Sequence, residues 1–126
     1  MSAPGAACTY HWQFVKRDGA IVCDECGTNI KAVPRYQDIG SEHFLSPVLH
    51  AKICTLVGAG GFLLLHSKGE GAMCCEGSLS TCSICGGDKA WTKDVSGGPE
   101  FVTLSPSVLC GCGDHGFVRE GKWVPA

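Results

Sequence analysis

The sequence predicts a mainly β fold, a small domain of short β-hairpins with little helix. Eighteen glycines and ten cysteines in 126 residues are typical of a loop-rich fold held by cross-links. Runs of β-branched and aromatic residues are bounded by turn signals such as RDG and GAGG. Several cysteines stand in pairs at the short spacings that bring ligands to one metal ion. We therefore expect metal–thiolate bonds to staple the hairpins together.

The first element is a hairpin within residues 8–32. WQFV and AIV are strand-forming runs, and RDG between them is a turn signal. This hairpin would bring a Cys-x2-His pair and a Cys-x2-Cys pair together, namely Cys8, His11, Cys23 and Cys26. The pattern predicts a tetrahedral Cys3His site. A surface histidine beside unlinked thiols is the alternative.

Residues 8–32 also resemble the small zinc ribbons of phage and bacterial proteins. In those ribbons a Cys-x2-His-Trp start precedes a Cys-x2-Cys-Gly knuckle, and this chain has both. The resemblance implies a bound zinc ion. Because such ribbons occur in proteins of many functions, it implies no particular activity.

Residues 33–50 are predicted to be a connector, since Pro34 and Pro47 interrupt regular structure. We expect His43 and His50 to be solvated or hydrogen-bonded to the backbone. A Gly/Cys-rich β domain would follow over residues 51–126, beginning with two apolar strands around GAGG. Its core candidates are Leu56, Val57, Phe62, Leu63, Leu64 and Leu65.

Alternation along these two strands places Leu56, Phe62 and Leu64 on one face and Val57, Leu63 and Leu65 on the other. We expect one face to fill the core and the other to dock a partner.

Three cysteines lie outside the closely spaced pairs. Cys54 lies in an apolar strand and is expected to be a buried thiol. Cys74 and Cys75 are adjacent, and neighbouring side chains on a strand point to opposite faces, so only one joins a given cluster easily. Cys75 is a candidate ligand, but alternation leaves open which of the adjacent two contributes, and disulfide formation remains the alternative for all three.

A second cluster is predicted at the C-terminal side of the chain. A Cys-x2-Cys pair and a tighter Cys-x-Cys pair flank the strand-forming run FVTLSPSVL: Cys82, Cys85, Cys110 and Cys112. These four residues predict another metal site, with disulfides or buried thiols as alternatives. His115, three residues after Cys112, is a further candidate ligand, and GFV and KWV predict a final hairpin closed by REG. We expect zinc in both sites, with iron as an alternative in the second.

The stretch from GSLSTCSICGG to GGPEFVTLSPSVL is similar to the repeats of PAAR proteins. There a Gly-x4-Cys segment precedes a GGP, and Ser-Pro-x-Val-Leu closes the next strand. PAAR proteins are small β-hairpin cones that cap the spikes of contractile injection machines, and they bind a metal through His and Cys near the tip. The resemblance covers roughly residues 77–113 and implies tip ligands at Cys82, Cys85 and the CGCG–His115 region. The chain departs from the family in lacking most of its Gly-Asp steps and its His ligands before Cys82.

A second resemblance is to the zinc-finger modules of viral non-structural proteins. Those modules share a Cys-x2-Cys-Gly, a nearby Trp and a later Cys-Gly-Cys, which here are Cys82, Cys85, Trp91, Cys110 and Cys112. This resemblance implies a module that binds protein or nucleic acid.

Charge and motif content narrow the function classes. Ten Lys and Arg against twelve Asp and Glu give a net charge of −2, which disfavours a dedicated nucleic-acid binder. We expect no secretory signal, because MSAPGAACTYHWQF has no basic start followed by an apolar run, and no membrane span, because ICTLVGAGGFLLLH is short and interrupted by glycines. No nucleophile signature accompanies any cysteine, so we expect no enzymatic activity.

The sequence thus predicts a zinc-ribbon segment (1–32), a connector (33–50) and a metal-stapled β domain (51–126). The predicted function is that of a non-enzymatic structural protein at the tip or baseplate of a phage tail or related contractile device. It would lie in the virion or the cytoplasm, with a trimeric spike or baseplate as its protein partner. The alternative is a zinc-finger interaction module that binds protein or nucleic acid.

Overall fold

The computed structural model describes residues 11, 13–49, 60–81 and 90–126. The predicted mainly β fold is confirmed, since ten strands in these ranges form three antiparallel sheets. The helical elements in the described ranges are the short 3-10 turns Ile30–Ala32 and Pro99–Phe101. None of the described helical segments is long and apolar enough to span a membrane.

The first sheet is the N-terminal hairpin of β1 (Phe14–Arg17) and β2 (Ala20–Cys23). Its turn uses Asp18 and Gly19 at φ values of 52° and 80°, the left-handed pair that matches the twist of a tight hairpin. The hairpin predicted around RDG is therefore confirmed. Its register pairs Phe14 with Cys23 and so places Cys23 at the open end of the hairpin.

The second sheet is central in the fold and has the order β3-β4-β5-β6. Its strands are β3 (Gln37–Gly40), β4 (His43–Leu49), β5 (Gly60–His66) and β6 (Cys75–Ser80). The register aligns His43 with His66 and His66 with Cys75. Because directly opposed residues share a face of the sheet, these three side chains lie in one row.

The structure differs from the predicted connector, because residues 37–49 form β3 and β4. Pro47 is compatible with a strand here. The pairing of β3 with β4 extends only from His43 to Leu45, so Pro47 pairs on one side, with Phe62 of β5. Proline is tolerated where one side of a strand has no ladder to complete. The other predicted strand, which contained Cys54, Leu56 and Val57, lies outside the described residues, as does His50.

The third sheet, the C-terminal sheet, has the order β10-β9-β8-β7. Its strands are β7 (Thr92–Asp94), β8 (Thr103–Leu109), β9 (His115–Arg119) and β10 (Lys122–Pro125). The strand predicted in FVTLSPSVL is present as β8, and the predicted final hairpin is present as β9 and β10. Glu120 and Gly121 form its turn with φ values of 50° and 75°.

The central sheet separates two hydrophobic clusters. One face packs against the C-terminal sheet through a set that includes Leu64, Val118 and Trp123. The other face packs against the N-terminal hairpin and the turn after it, through Phe14, Ile30 and Leu65 among others. Leu64 and Leu65 are only 3% and 1% exposed, so both faces of β5 are covered within the chain. The expected free docking face is not present on this strand at these positions.

Gly116 lies in β9 directly beneath Trp123 of β10. A Cβ at Gly116 would lie 2.4 Å from Trp123 Cζ2 and 2.7 Å from the Val124 carbonyl oxygen. Both distances are shorter than a van der Waals contact allows. Gly116→Ala should therefore lower the free energy of unfolding by about 1–3 kcal/mol, as overpacking does, when measured by chemical denaturation. The control is Gly77→Ala in β6, where a new Cβ meets nothing within 4 Å. Equal stabilities of the two variants would contradict this packing.

Candidate metal centres

The N-terminal cluster consists of His11, Cys23 and Cys26, whose ligand atoms lie within 4.8 Å of one another. Cys26 Sγ is 3.4 Å from His11 Nδ1. The structure thus brings together three of the four residues predicted for the ribbon site. Cys8, the fourth, lies outside the described residues.

A tight turn after β2 forms this cluster. The Gly27 N–H donates to the Cys23 carbonyl at 2.8 Å, and Gly27 adopts a φ of 76°, which favours glycine. The turn directs Cys26 back towards Cys23. The Cys23 N–H also donates to the Thr28 carbonyl at 2.8 Å, and Arg35 donates to the His11 carbonyl. These hydrogen bonds fix the backbone that carries the three ligands.

The C-terminal cluster consists of His66, Cys75, Cys110 and Cys112, whose ligand atoms also lie within 4.8 Å of one another. Cys75 Sγ is 3.0 Å from Cys110 Sγ, and Cys112 Sγ is 3.4 Å from His66 Nε2. His66 and Cys75 are cross-strand neighbours on β5 and β6, whereas the other two ligands belong to the loop between β8 and β9. The cluster therefore joins the central sheet to the C-terminal sheet.

The Cys110–Asp114 turn presents its two sulfur atoms to the central sheet. The Cys110 N–H donates to the Asp114 carbonyl at 2.7 Å, and the Gly113 N–H donates to the Cys110 carbonyl at 2.9 Å. Gly113 adopts a φ of 100°, which explains why glycine stands there. This turn lets two cysteines only two positions apart contribute to one site.

His66 has the protonation pattern of a metal ligand. Its Nδ1 lies 3.3 Å from the Ser67 carbonyl oxygen. Because a carbonyl can only accept, Nδ1 is the donor and Nε2 is left with a lone pair facing the cysteines. Metal-binding histidines generally have such an outer-shell acceptor on the other ring nitrogen.

The contact between Cys75 and Cys110 shifts the pKa values of the two thiols in opposite directions. The hydrogen bond to Cys110, together with burial, raises the pKa of Cys75 to about 12. Burial alone would raise the pKa of Cys110, but hydrogen bonds from the Cys112 backbone and from Cys75 outweigh it and lower that pKa to about 6. The thiolate form is therefore favoured at Cys110 and disfavoured at Cys75. A thiolate is the form in which cysteine binds metal.

A buried histidine adjoins the C-terminal cluster. His43 Nε2 lies 2.6 Å from Asp114 Oδ2, and that oxygen lies 3.9 Å from His66 Nε2. The His43 ring stacks on Trp123 at 4.2 Å and on His66 at 5.2 Å between ring centroids. His43 does hydrogen-bond to the backbone, as expected, through Nδ1 and the Ser41 carbonyl at 2.8 Å. It is not solvated, because it is 6% exposed.

A cleft of about 520 Å³ opens beside the C-terminal cluster. It lies between β6 and the Cys110–Asp114 turn, with Leu79, Trp91 and Val108 in its apolar wall. The buried Trp91 Nε1 has no hydrogen-bond partner in the described structure. Three of the cysteine ligands line this cleft, so it offers a path by which an ion reaches them.

The structure describes only part of the second predicted ligand set. Cys110 and Cys112 are together with Cys75, the candidate from the adjacent pair, whereas Cys82 and Cys85 lie outside the described residues. His115 is in neither described cluster, because its exposed ring contacts Ser107 Oγ at 3.0 Å. Cys74 packs against the hydrophobic cluster that contains Phe14, Ile30 and Leu65, and burial raises the pKa of its thiol to about 11.

Sequence reasoning missed His66, which has no cysteine within ligand-pair spacing. The sequence indicates His66 as a ligand only through the pairing of two neighbouring strands. His66 ends the apolar run FLLLH, and Cys75 begins the next strand, so a hairpin between them brings both residues together.

Comparison of the chain with protein-family models, with curated proteins and with solved structures gives no match. The function is therefore inferred from the chemistry of the two clusters. Both groups of side chains can hold a metal ion. Thiolate and imidazole ligands together suit zinc and also iron.

Proposed function

We propose that the protein is a non-enzymatic structural metalloprotein in which zinc ions link the sheets to one another. The observation that carries this proposal is the C-terminal cluster, because its four side chains make up a full Cys3His set. Four protein ligands leave no open position on a tetrahedral ion, and this closed arrangement is typical of structural rather than catalytic zinc.

The two sites would act on opposite faces of the central sheet. At the C-terminal cluster, zinc would link β5 and β6 to the Cys110–Asp114 turn and so fix the C-terminal sheet in place. At the N-terminal cluster, zinc would close the open end of the hairpin, where Cys23 and Cys26 adjoin the second hydrophobic cluster. Metal binding then supplies folding free energy that a small core provides only in part.

Within this class we propose the narrower role of a tip or baseplate component of a phage tail or related contractile device. Its support is the similarity of residues 77–113 to PAAR repeats. Metal–thiolate links suit a part that bears force, because they oppose local unfolding. Co-sedimentation with a purified trimeric spike tests this role.

An interaction module is the second candidate function. The apolar side chains of Phe101 and Leu109 favour it, since they are 50% and 68% exposed. A salt-dependent, submicromolar affinity for nucleic acid, or capture of a defined soluble protein partner, would favour the module over the tip component.

The test of the structural proposal is zinc stoichiometry. Purified under reducing conditions, the full chain should carry about two zinc ions by elemental analysis, one for each tetrahedral site. Cys75→Ser should lower this to about one, because serine is a poor ligand for zinc. Cys74→Ser is a matched control, since Cys74 is the neighbouring residue and belongs to neither described cluster, and it should leave the zinc content unchanged. A metal-free chain with thiols blocked until reduced would establish a disulfide framework instead.

A further inference from the structure

We propose that His43, His66 and Asp114 form a second metal position that shares His66 with the C-terminal cluster and receives the ion when the thiols are oxidised. The inference rests on the proposed function, because the ion must first be bound by the Cys3His set. The ligand atoms of the three residues lie within 4.8 Å of one another.

Three acceptor atoms lie close together in this region: Nε2 of His43, Nε2 of His66 and Oδ2 of Asp114. The Ser41 and Ser67 carbonyl oxygens accept from Nδ1 of His43 and His66, at 2.8 Å and 3.3 Å. With Nδ1 as the donor, each neutral ring has its lone pair on Nε2. The Nε2 atom of His43 contacts Asp114 Oδ2 at 2.6 Å, and the Nε2 atom of His66 lies 3.9 Å from the same oxygen. Two acceptors at the 2.6 Å separation of His43 Nε2 and Asp114 Oδ2 require a cation between them, either a shared proton or a metal ion.

The distances are close to those that a metal ion needs. Nitrogen and oxygen ligands at about 2.0–2.1 Å from a tetrahedral ion are about 3.3 Å from one another. The separations of Asp114 Oδ2 from the two imidazole nitrogens, 2.6 Å and 3.9 Å, lie on either side of that value. A small shift of the Asp114 carboxylate towards His66 would make the two separations equal. Stacking of the His43 ring on Trp123 and burial of both histidines hold the other two ligands in place.

The two ligand sets differ in their resistance to oxidation. The Cys3His set depends on thiolates, whereas two imidazoles and a carboxylate are unaffected by mild oxidants and bind zinc and other borderline divalent ions. His66 Nε2 has one lone pair, so it serves only one of the two positions at a time. The ion would therefore keep His66 while His43 and Asp114 take the place of the two cysteines that are oxidised.

The oxidation step uses the close contact between Cys75 and Cys110, whose sulfur atoms are 3.0 Å apart. With hydrogen peroxide as the oxidant, the two thiolates lose two electrons and form one S–S bond. Peroxide gains those electrons, its O–O bond breaks, and two protons from solvent complete two water molecules. Zinc is redox-inert, so after oxidation His43, His66 and Asp114 would hold the ion, and the proton between His43 and Asp114 would pass to solvent.

The experiment uses the full zinc-loaded chain treated with stoichiometric hydrogen peroxide. Peptide mapping identifies the Cys75–Cys110 disulfide, and competition with a chromophoric chelator measures zinc affinity before and after oxidation. The wild-type chain should keep the C-terminal zinc after the disulfide has formed. Asp114→Asn and His43→Gln should bind zinc when reduced, but after oxidation their affinity should fall at least about tenfold below that of the wild type. Asp94→Asn, an exposed substitution outside the described clusters, is the control and should match the wild type.

The N-terminal cluster is the same in all these chains, so differences between them report on the C-terminal position. Complete release of zinc from the oxidised wild type, after normal binding when reduced, overturns this inference and leaves the proposed function standing. Equal retention by the wild type and both variants also overturns it. Absence of zinc in the reduced wild type overturns the proposed function itself. If Asp114→Asn weakens zinc binding by the reduced chain, the comparison is made with His43→Gln alone. The same outcomes then support or overturn the inference.

Discussion

Replacing His66 by alanine should remove the zinc ion of the C-terminal cluster and lower the stability of the whole chain. The substitution deletes the ligand that β5 contributes to a four-membered set. Loss of even an outer-shell partner weakens metal sites by 10–100-fold, so we expect loss of a direct ligand to weaken zinc binding by at least about 100-fold. Because metal binding contributes to folding free energy, the midpoint of thermal unfolding should fall as well. Competition with a chromophoric chelator and a thermal melt measure the two effects.

His115→Ala is the matched control for this experiment. His115 is the histidine that sequence spacing favours, three residues after Cys112, yet its exposed ring contacts Ser107 and belongs to neither described cluster. The control variant should therefore bind zinc and melt like the wild type. The opposite pattern, with His115→Ala losing zinc and His66→Ala keeping it, would identify His115 as the histidine ligand, as spacing predicts.

The features that the sequence predicts well are local. In the N-terminal hairpin, the turn and both predicted ligand pairs lie within residues 8–32. The spacing along the chain is therefore enough to predict that the ligands come together. The final hairpin around REG is of the same kind. In both cases the left-handed conformation of Gly19 or Gly121 is required by the turn and is signalled by the glycine itself.

The C-terminal cluster could not be predicted in the same way, because it depends on strand register. His66 meets Cys75 only because β5 and β6 pair with one particular alignment, and a shift of one residue would send either side chain to the other face. His43 joins them because β4 forms in spite of Pro47, within a segment expected to be irregular. Asp114 reaches His43 only after the C-terminal sheet has packed on the central sheet.

Placing aspartate at Leu64 or at Leu65 should prevent folding in both cases. Alternation sends the two side chains to opposite faces of β5, where Leu64 packs against the C-terminal sheet and Leu65 against the N-terminal hairpin. An unpaired carboxylate on either face would be buried, and such substitutions destabilise by more than about 4 kcal/mol. Soluble yield and near-ultraviolet circular dichroism measure the loss of packed structure.

Leu109→Asp is the control for the two buried positions, because Leu109 is 68% exposed and the new charge there remains hydrated. This variant should fold like the wild type. The decisive comparison is the Leu65 variant, since the sequence allowed one face of this strand to remain free for a partner. If Leu65→Asp folds normally while Leu64→Asp does not, the N-terminal hairpin does not cover that face in solution, and a docking surface on β5 again becomes the better interpretation. If both fail, the central sheet is enclosed on both faces at these positions, and a partner must bind elsewhere, at sites such as exposed Phe101 or Leu109.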